Sequence, residues 1–198
     1  DLSKKVALKK PVLILKSGRT KEGAKVSASH TGSLAVDDQI FSAACKQAGI
    51  IRLEKFSELF ELPKIFDVQP LPRRGRLGIV TFTGGVGVLA IDEAAKYGLS
   101  VSKLSPETSA KLNAIFPDLA KTIIDIGPPM AVIDNYMDIY SKILTTVLQD
   151  DTIDCLFNVI WTSPFESFVE EYLKFYEGNK GKYKKTIATW IYGPSIPL

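Results

Sequence analysis

The stretch Arg76-Leu77-Gly78-Ile79-Val80-Thr81-Phe82-Thr83-Gly84-Gly85-Val86-Gly87-Val88 reads as a buried strand, Leu77–Thr81, that passes through glycines directly into a helix. Val88, Ile91 and Ala95 share one face of that helix. Downstream, apolar runs at Val101–Leu104, Ile123–Ile126, Asp154–Trp161 and Thr186–Ile191 alternate with helical periodicities. Short apolar strands separated by amphipathic helices predict an α/β fold: a doubly wound parallel sheet covered on both faces, in three α/β/α layers.

The intervening helices carry their own signals. Tyr136, Ile139, Tyr140, Ile143, Leu144, Val147 and Leu148 recur at i, i+3, i+4 and i+7, and Phe165, Phe168, Val169, Tyr172, Leu173 and Tyr176 form a second such face. Ser163, Pro164 and Glu166 give that second helix a capping box, and Ser105-Pro106-Glu107 opens another helix in the same style. Regular apolar faces of this kind serve the core, so no chemistry is assigned to them.

Working backward, the segment before Arg76 offers one convincing strand, Pro11–Leu15, then a loop of small residues, then a helix from near Asp37 bearing Ile40, Phe41, Ala44, Cys45 and Ala48. One strand and one helix do not close a core, so residues 1–60 either complete the sheet of the second domain or are the C-terminal part of a domain of their own. The three prolines and the basic cluster Arg73-Arg74-Gly75-Arg76 suggest a linker over 61–75. Residues 76–198 then form a second domain, expected to be truncated at its C-terminus because no helix follows its last strand.

The chain has 198 residues, 45% of them apolar or aromatic and 24% charged, with a formal net charge of +3, a balance that favours a packed core over disorder. The longest apolar runs fall short of the roughly 18–20 residues that span a bilayer, and no secretory signal opens the chain. A cytoplasmic protein is expected, with Cys45 and Cys155 as buried thiols. The Lys4–Lys10 and Lys180–Lys185 stretches lack interleaved aromatics and read as solvated surface, not as a nucleic-acid site. With a single histidine, His30, and no CxxC or HExxH pattern, no metal site is expected.

Two segments can carry chemistry. In Ser27-Ala28-Ser29-His30-Thr31-Gly32-Ser33 the imidazole is free of bulky neighbours, and Ser29, Thr31, Gly32 and Ser33 offer hydroxyls and amides to an anion. Such a histidine can act as a general base, or as a nucleophile that accepts a phosphoryl group. The second is Thr81–Gly87, where Gly84, Gly85, Val86 and Gly87 would present the amides and positive dipole end of a helix start to phosphate. A tight turn without a ligand is the plain alternative. Gly85-Val86-Gly87-Val88-Leu89-Ala90 also fits a dinucleotide fingerprint, but the next strand ends Lys103-Leu104-Ser105, without the acid that holds a ribose.

Lys10-Pro11-Val12-Leu13-Ile14-Leu15-Lys16-Ser17-Gly18-Arg19-Thr20, continuing through Ala28-Ser29-His30-Thr31-Gly32-Ser33-Leu34-Ala35, resembles the phosphohistidine segment of NDP-forming acyl-CoA synthetases, relatives of succinyl-CoA synthetase. The Thr81–Gly87 turn resembles the glycine-rich turn of the same family's last flavodoxin-like domain, so the resemblance covers essentially the whole chain. It implies flavodoxin-like domains and an acid–thiol ligase reaction, acyl-CoA plus ADP and phosphate giving acid, CoA and ATP, with His30 carrying the phosphoryl group. It also implies an ATP-grasp domain or subunit and a CoA-binding domain as partners, an oligomer, and CoA, ADP or ATP and magnesium for the full enzyme. No cofactor is expected to be bound by this chain alone, which should be inactive by itself. Phe82 and Val86 stand where relatives often carry Asn and Pro, and of an Asn-Pro-x-Asp stretch only Asp125 remains. A regulatory domain that binds acyl-CoA or a partner without catalysis is the second reading.

Overall fold

The computed structural model describes residues 2–31, 36–162 and 168–193, and the chain divides after Val68 into two compact units. In the first, strands β1 (Leu13–Leu15) and β2 (Ile51–Leu53) pair in parallel, Leu13 opposite Ile51 and Leu15 opposite Leu53. Helices α1 (Leu2–Ala7), α2 (Lys21–Thr31), α3 (Asp38–Ala48) and α4 (Glu58–Val68) accompany them. The Asp37 carboxylate caps α3 by accepting from the Gln39 and Ile40 amides at 2.8 and 3.2 Å, and Gly49, at φ 69°, ends it in the left-handed conformation.

Three expectations change here. The small-residue stretch around His30 is helical through Thr31, not a loop. A second strand, β2, exists. It is only three residues long with Arg52 at its centre, too short and too polar for an apolar-run criterion. The linker over 61–75 is helix as far as Val68, with Pro63 inside it, because Leu62 and Phe66, four residues apart, turn a common face inward.

The second unit runs β3 (Arg76–Thr81), α5 (Gly84–Lys96), β4 (Ser100–Val101), α6 (Pro106–Ile115), β5 (Ile124–Asp125), α7 (Gly127–Met130), α8 (Tyr136–Leu148), β6 (Cys155–Trp161), α9 (Phe168–Asn179) and β7 (Thr186–Tyr192). All its strand pairings are parallel, in the order β4-β3-β6-β7, with β5 also on β3. Val80 faces Asn158 on one side and Ile124 on the other, so β5 continues the edge that β4 begins. The strand after β3 thus lies to one side and β6 to the other. That reversal is the flavodoxin-like switch. The predicted strands at Val101–Leu104 and Ile123–Ile126 are shorter than read, two residues each.

Alternation along the strands builds two cores. Leu77, Ile79 and Cys155 pack with Ala94 of α5 on one face. Val80, Leu156 and Ile160 pack with Tyr140, Ile143, Leu144 and Val147 of α8 and with Phe168 and Tyr172 of α9 on the other. Each large side chain fully buried this way contributes about 1.5–3 kcal/mol. At the strands' N-terminal ends, Arg76 grips Asp154 through two 2.8 Å hydrogen bonds, joining β3 to β6. Ser105 caps α6 by accepting from the Thr108 amide at 3.1 Å, as its sequence predicts. The Ser163–Pro164–Glu166 capping box lies outside the described residues. Cys45 and Cys155 are both free and buried.

Candidate functional site

The Phe82–Gly84 turn leaves β3 at the C-terminal edge of the sheet, on the strand where the order reverses, which is where doubly wound folds bind ligands. Thr81 shapes this turn: its hydroxyl accepts from the Thr83 amide at 3.1 Å and donates to the Thr83 carbonyl at 3.0 Å. Thr83 is then extended, at φ −144° and ψ 129°, and its side chain makes no capping hydrogen bond to α5. The first-turn amides of Gly84, Gly85 and Val86 are therefore left to whatever anion reaches them.

The glycines of this turn do different things. A Cβ on Gly85 would meet nothing within 4 Å, so its backbone stands open. On Gly87 a Cβ would lie 2.5 Å from Ile123 Cγ2, and its amide already donates to the Thr83 carbonyl at 3.3 Å. Gly87, counted above among the phosphate-binding residues, serves packing and has no amide to spare. A Cβ on Gly84 would lie 3.1 Å from Asp125 Oδ2, while Asp125 Oδ1 accepts from the Gly127 amide at 3.0 Å. Asp125 thus sets a carboxylate beside the first turn of α5. Sequence reading kept this acid as a motif remnant without giving it a place; its pairing register on β3 supplies one.

In the first unit, His30 lies in the last turn of α2 and is exposed among the described residues. Gly18, at φ 67°, turns the chain beyond β1, and a Cβ on it would lie 3.3 Å from Ser27 Cβ and 3.4 Å from Ala24 Cα, so α2 packs closely on this turn. Ser29 spends its hydroxyl proton on the Val26 carbonyl at 2.7 Å. Gly32 and Ser33, the remaining expected phosphate contacts apart from Thr31, lie outside the described residues. A helix C-terminus carries partial negative charge, which opposes a dianion on His30 by about 0.3–1 kcal/mol if exposed. Positive charge or a helix start from elsewhere has to offset it.

Beside this segment lies a cluster that sequence reading passed over. Arg52 Nη2 donates to both carboxylate oxygens of Asp38 at 2.7 Å, and Lys16 Nζ lies 3.5 Å from Asp38 Oδ1. Hydrogen bonds from Arg52 hold the Asp38 carboxyl below its ordinary range. Both cations sit over the Phe41 ring, at 5.6 and 5.7 Å from its centroid. Among the described residues, no group of three His, Cys, Asp or Glu side chains could hold a metal ion. No described helix is long and apolar enough to cross a membrane.

The parallel sheet, its strand order and the glycine turn at its switch strand define a flavodoxin-like α/β protein. A family model for the succinyl-CoA ligase like flavodoxin domain matches residues 1–66. The ADP-forming acetate–CoA ligase of Methanocaldococcus jannaschii is 44% identical over 132 residues, 67% of this chain and 18% of its own length. The alpha subunit of the ADP-forming acetate–CoA ligase II of Pyrococcus furiosus is 36% identical over 164 residues, 79% of this chain and 33% of its own. A solved structure of dinucleotide forming acetyl-coenzyme A synthetase 1 from Ca. Korarchaeum cryptofilum, in complex with phosphate and ADP, has a TM-score of 0.75 at 27% identity, covering 96% of this chain and 41% of that one. Residues 1–66 thus match the succinyl-CoA ligase like flavodoxin domain, and over most of its length the chain is similar to a part of ADP-forming acyl-CoA synthetases. It spans 18% to 33% of the length of the two curated relatives named here.

Proposed function

We propose that this chain is the phosphoryl-relay part of an ADP-forming acyl-CoA synthetase, with His30 as the group that carries phosphate between acyl and nucleotide sites. The observation that carries this reading is the exposed imidazole of His30, the chain's one histidine, within the segment matched to the succinyl-CoA ligase like domain. Phosphate displaces CoA from the acyl thioester to give an acyl phosphate and the free thiol; a neutral ring nitrogen of His30 attacks the phosphorus of that acyl phosphate, the acid departs as carboxylate with the P–O bond pair, and ADP later takes the phosphoryl group from the ring to give ATP. Gly32, Ser33 and Thr31 supply the contacts at His30, and Ser29 joins them once its hydroxyl leaves Val26. In the second unit, Gly84, Gly85 and Val86 at the start of α5 are a phosphate-binding segment in their own right, with first-turn amides to offer an anion.

Nucleotide with its magnesium, and CoA, belong to an ATP-grasp domain or subunit and a CoA-binding domain that work with this chain. What supports partner domains is that a relative of this chain is itself named as an alpha subunit. The reading is tested by incubating the full-length protein with γ-labelled ATP and magnesium and following acid-labile label. His30→Ala is expected to abolish the label and at least 99% of ligase activity while leaving the fold intact. Undiminished label in His30→Ala overturns the relay, and full activity without label favours a regulatory, ligand-binding domain.

A further inference from the structure

We propose that Lys16, Asp38 and Arg52 form a clasp that positions the His30 segment for phosphoryl transfer, an inference that rests on the relay reading above. The described residues nearest the His30 segment on its two sides are the turn after β1, which leads into α2, and the start of α3, and one cluster of charge touches both. Lys16 Nζ donates to the carbonyls of Ser17 and Gly18, at 3.4 and 3.2 Å, in the turn that leads into α2. The same ammonium pairs with Asp38, in the first turn of α3 and eight positions beyond His30. Arg52, at the centre of β2, fastens that end to the sheet: beyond its two bonds to the Asp38 carboxylate, Nη1 donates to the Asp38 carbonyl at 3.1 Å and to the Ser42 hydroxyl. A single guanidinium thus holds the first two turns of α3.

An ordinary surface ion pair positions little, because water and side-chain entropy cancel most of its attraction. This one differs in burial and shape. The Lys16 and Arg52 side chains are 12% and 11% exposed, and the Arg52–carboxylate contact reaches both oxygens. Arg52 Nε is buried without a hydrogen-bond partner among the described residues, so β2 and its neighbours hold the guanidinium in a place it would leave if solvation alone decided. These three are positioning residues: they act on His30 through the Ser17–Gly18 turn that leads into α2 and through the start of α3.

The test uses the full-length synthetase and reads the initial rate at which label from γ-labelled ATP enters His30, alongside steady-state kcat and KM. Asp38→Asn and Arg52→Met are each expected to slow label entry at least tenfold and to lower kcat, with KM for nucleotide within twofold of wild type. The double variant is expected to be no slower than Arg52→Met alone, since both lose one shared contact. Arg52→Lys keeps the charge but loses the fork; it is expected to fold and to recover part of the rate. Folded variants that label at the wild-type rate overturn the clasp. So does slowing that merely matches the unfolded fraction. If Asp38→Asn does not fold, an unchanged rate in Arg52→Lys overturns it equally. A wild-type enzyme that never labels defeats the relay reading itself, and the clasp with it.

Discussion

At the scale of single residues, neighbouring glycines separate packing from chemistry. Gly87→Ala places a methyl 2.5 Å from Ile123 Cγ2, so it is expected to destabilise the second unit by about 1–3 kcal/mol in urea unfolding. Gly85→Ala meets nothing within 4 Å, is expected to change stability by less than about 1 kcal/mol, and keeps its first-turn amide. Asp150 gives a pH signature. Burial works to raise its carboxyl, but hydrogen bonds from the Thr152 and Ser105 amides and the Thr152 hydroxyl outweigh it and bring it down to about 2. Because this lies below the unfolded value of roughly 3.9, the stabilisation is complete above that value and is lost as the pH falls toward 2. Asp150→Ala strands two amides and is expected to cost about 1–3 kcal/mol at pH 7, with a flatter acid limb in unfolding midpoints measured from pH 7 to 2.5.

At the scale of elements, the decisive feature is the start of α5. Thr83 is already extended, the conformation that a following proline prefers, and proline is tolerated at the first helical position. Gly84→Pro is therefore expected to shift the melting temperature by only a few degrees while removing one anion-facing amide and weakening the binding of inorganic phosphate to the second unit several-fold. Equal phosphate affinity in a folded Gly84→Pro protein removes that amide from the site. The element also shows what is legible in a sequence. The βα junction at Thr81–Gly87 could be read because burial and turn geometry impose their residue types locally. The helix over Lys21–Thr31 could not: its Gly23, serines and lone His30 carry little apolar periodicity, and its close approach to the Gly18 turn, where a Cβ would lie 3.3 Å from Ser27 Cβ, is visible only in the fold. Nor could the Lys16–Asp38–Arg52 cluster, whose members come together only once β1 and β2 pair with Ile14 opposite Arg52.

At the scale of the molecule, the two units differ in how much core they possess. Among the described residues, Cys45 and Leu53 are the buried apolar side chains of the first unit, while Leu2, Leu8, Ile40, Phe56 and Phe60 remain exposed. The second unit buries a continuous cluster from Val80 to Tyr172. Amides of β1, β2 and α3 are thus expected to exchange with deuterium well before those of β3 and β6, since local opening energies follow buried apolar contact. Uniform protection across both units would contradict this account of their cores. The relay itself is tested most directly by locating the phosphate. Full-length enzyme incubated with ATP and magnesium, digested without exposure to acid, should yield one phosphorylated peptide, and fragmentation should place the phosphoryl group on His30. Phosphate on any other side chain, or an active enzyme whose His30 peptide stays unmodified at every time point, would contradict it.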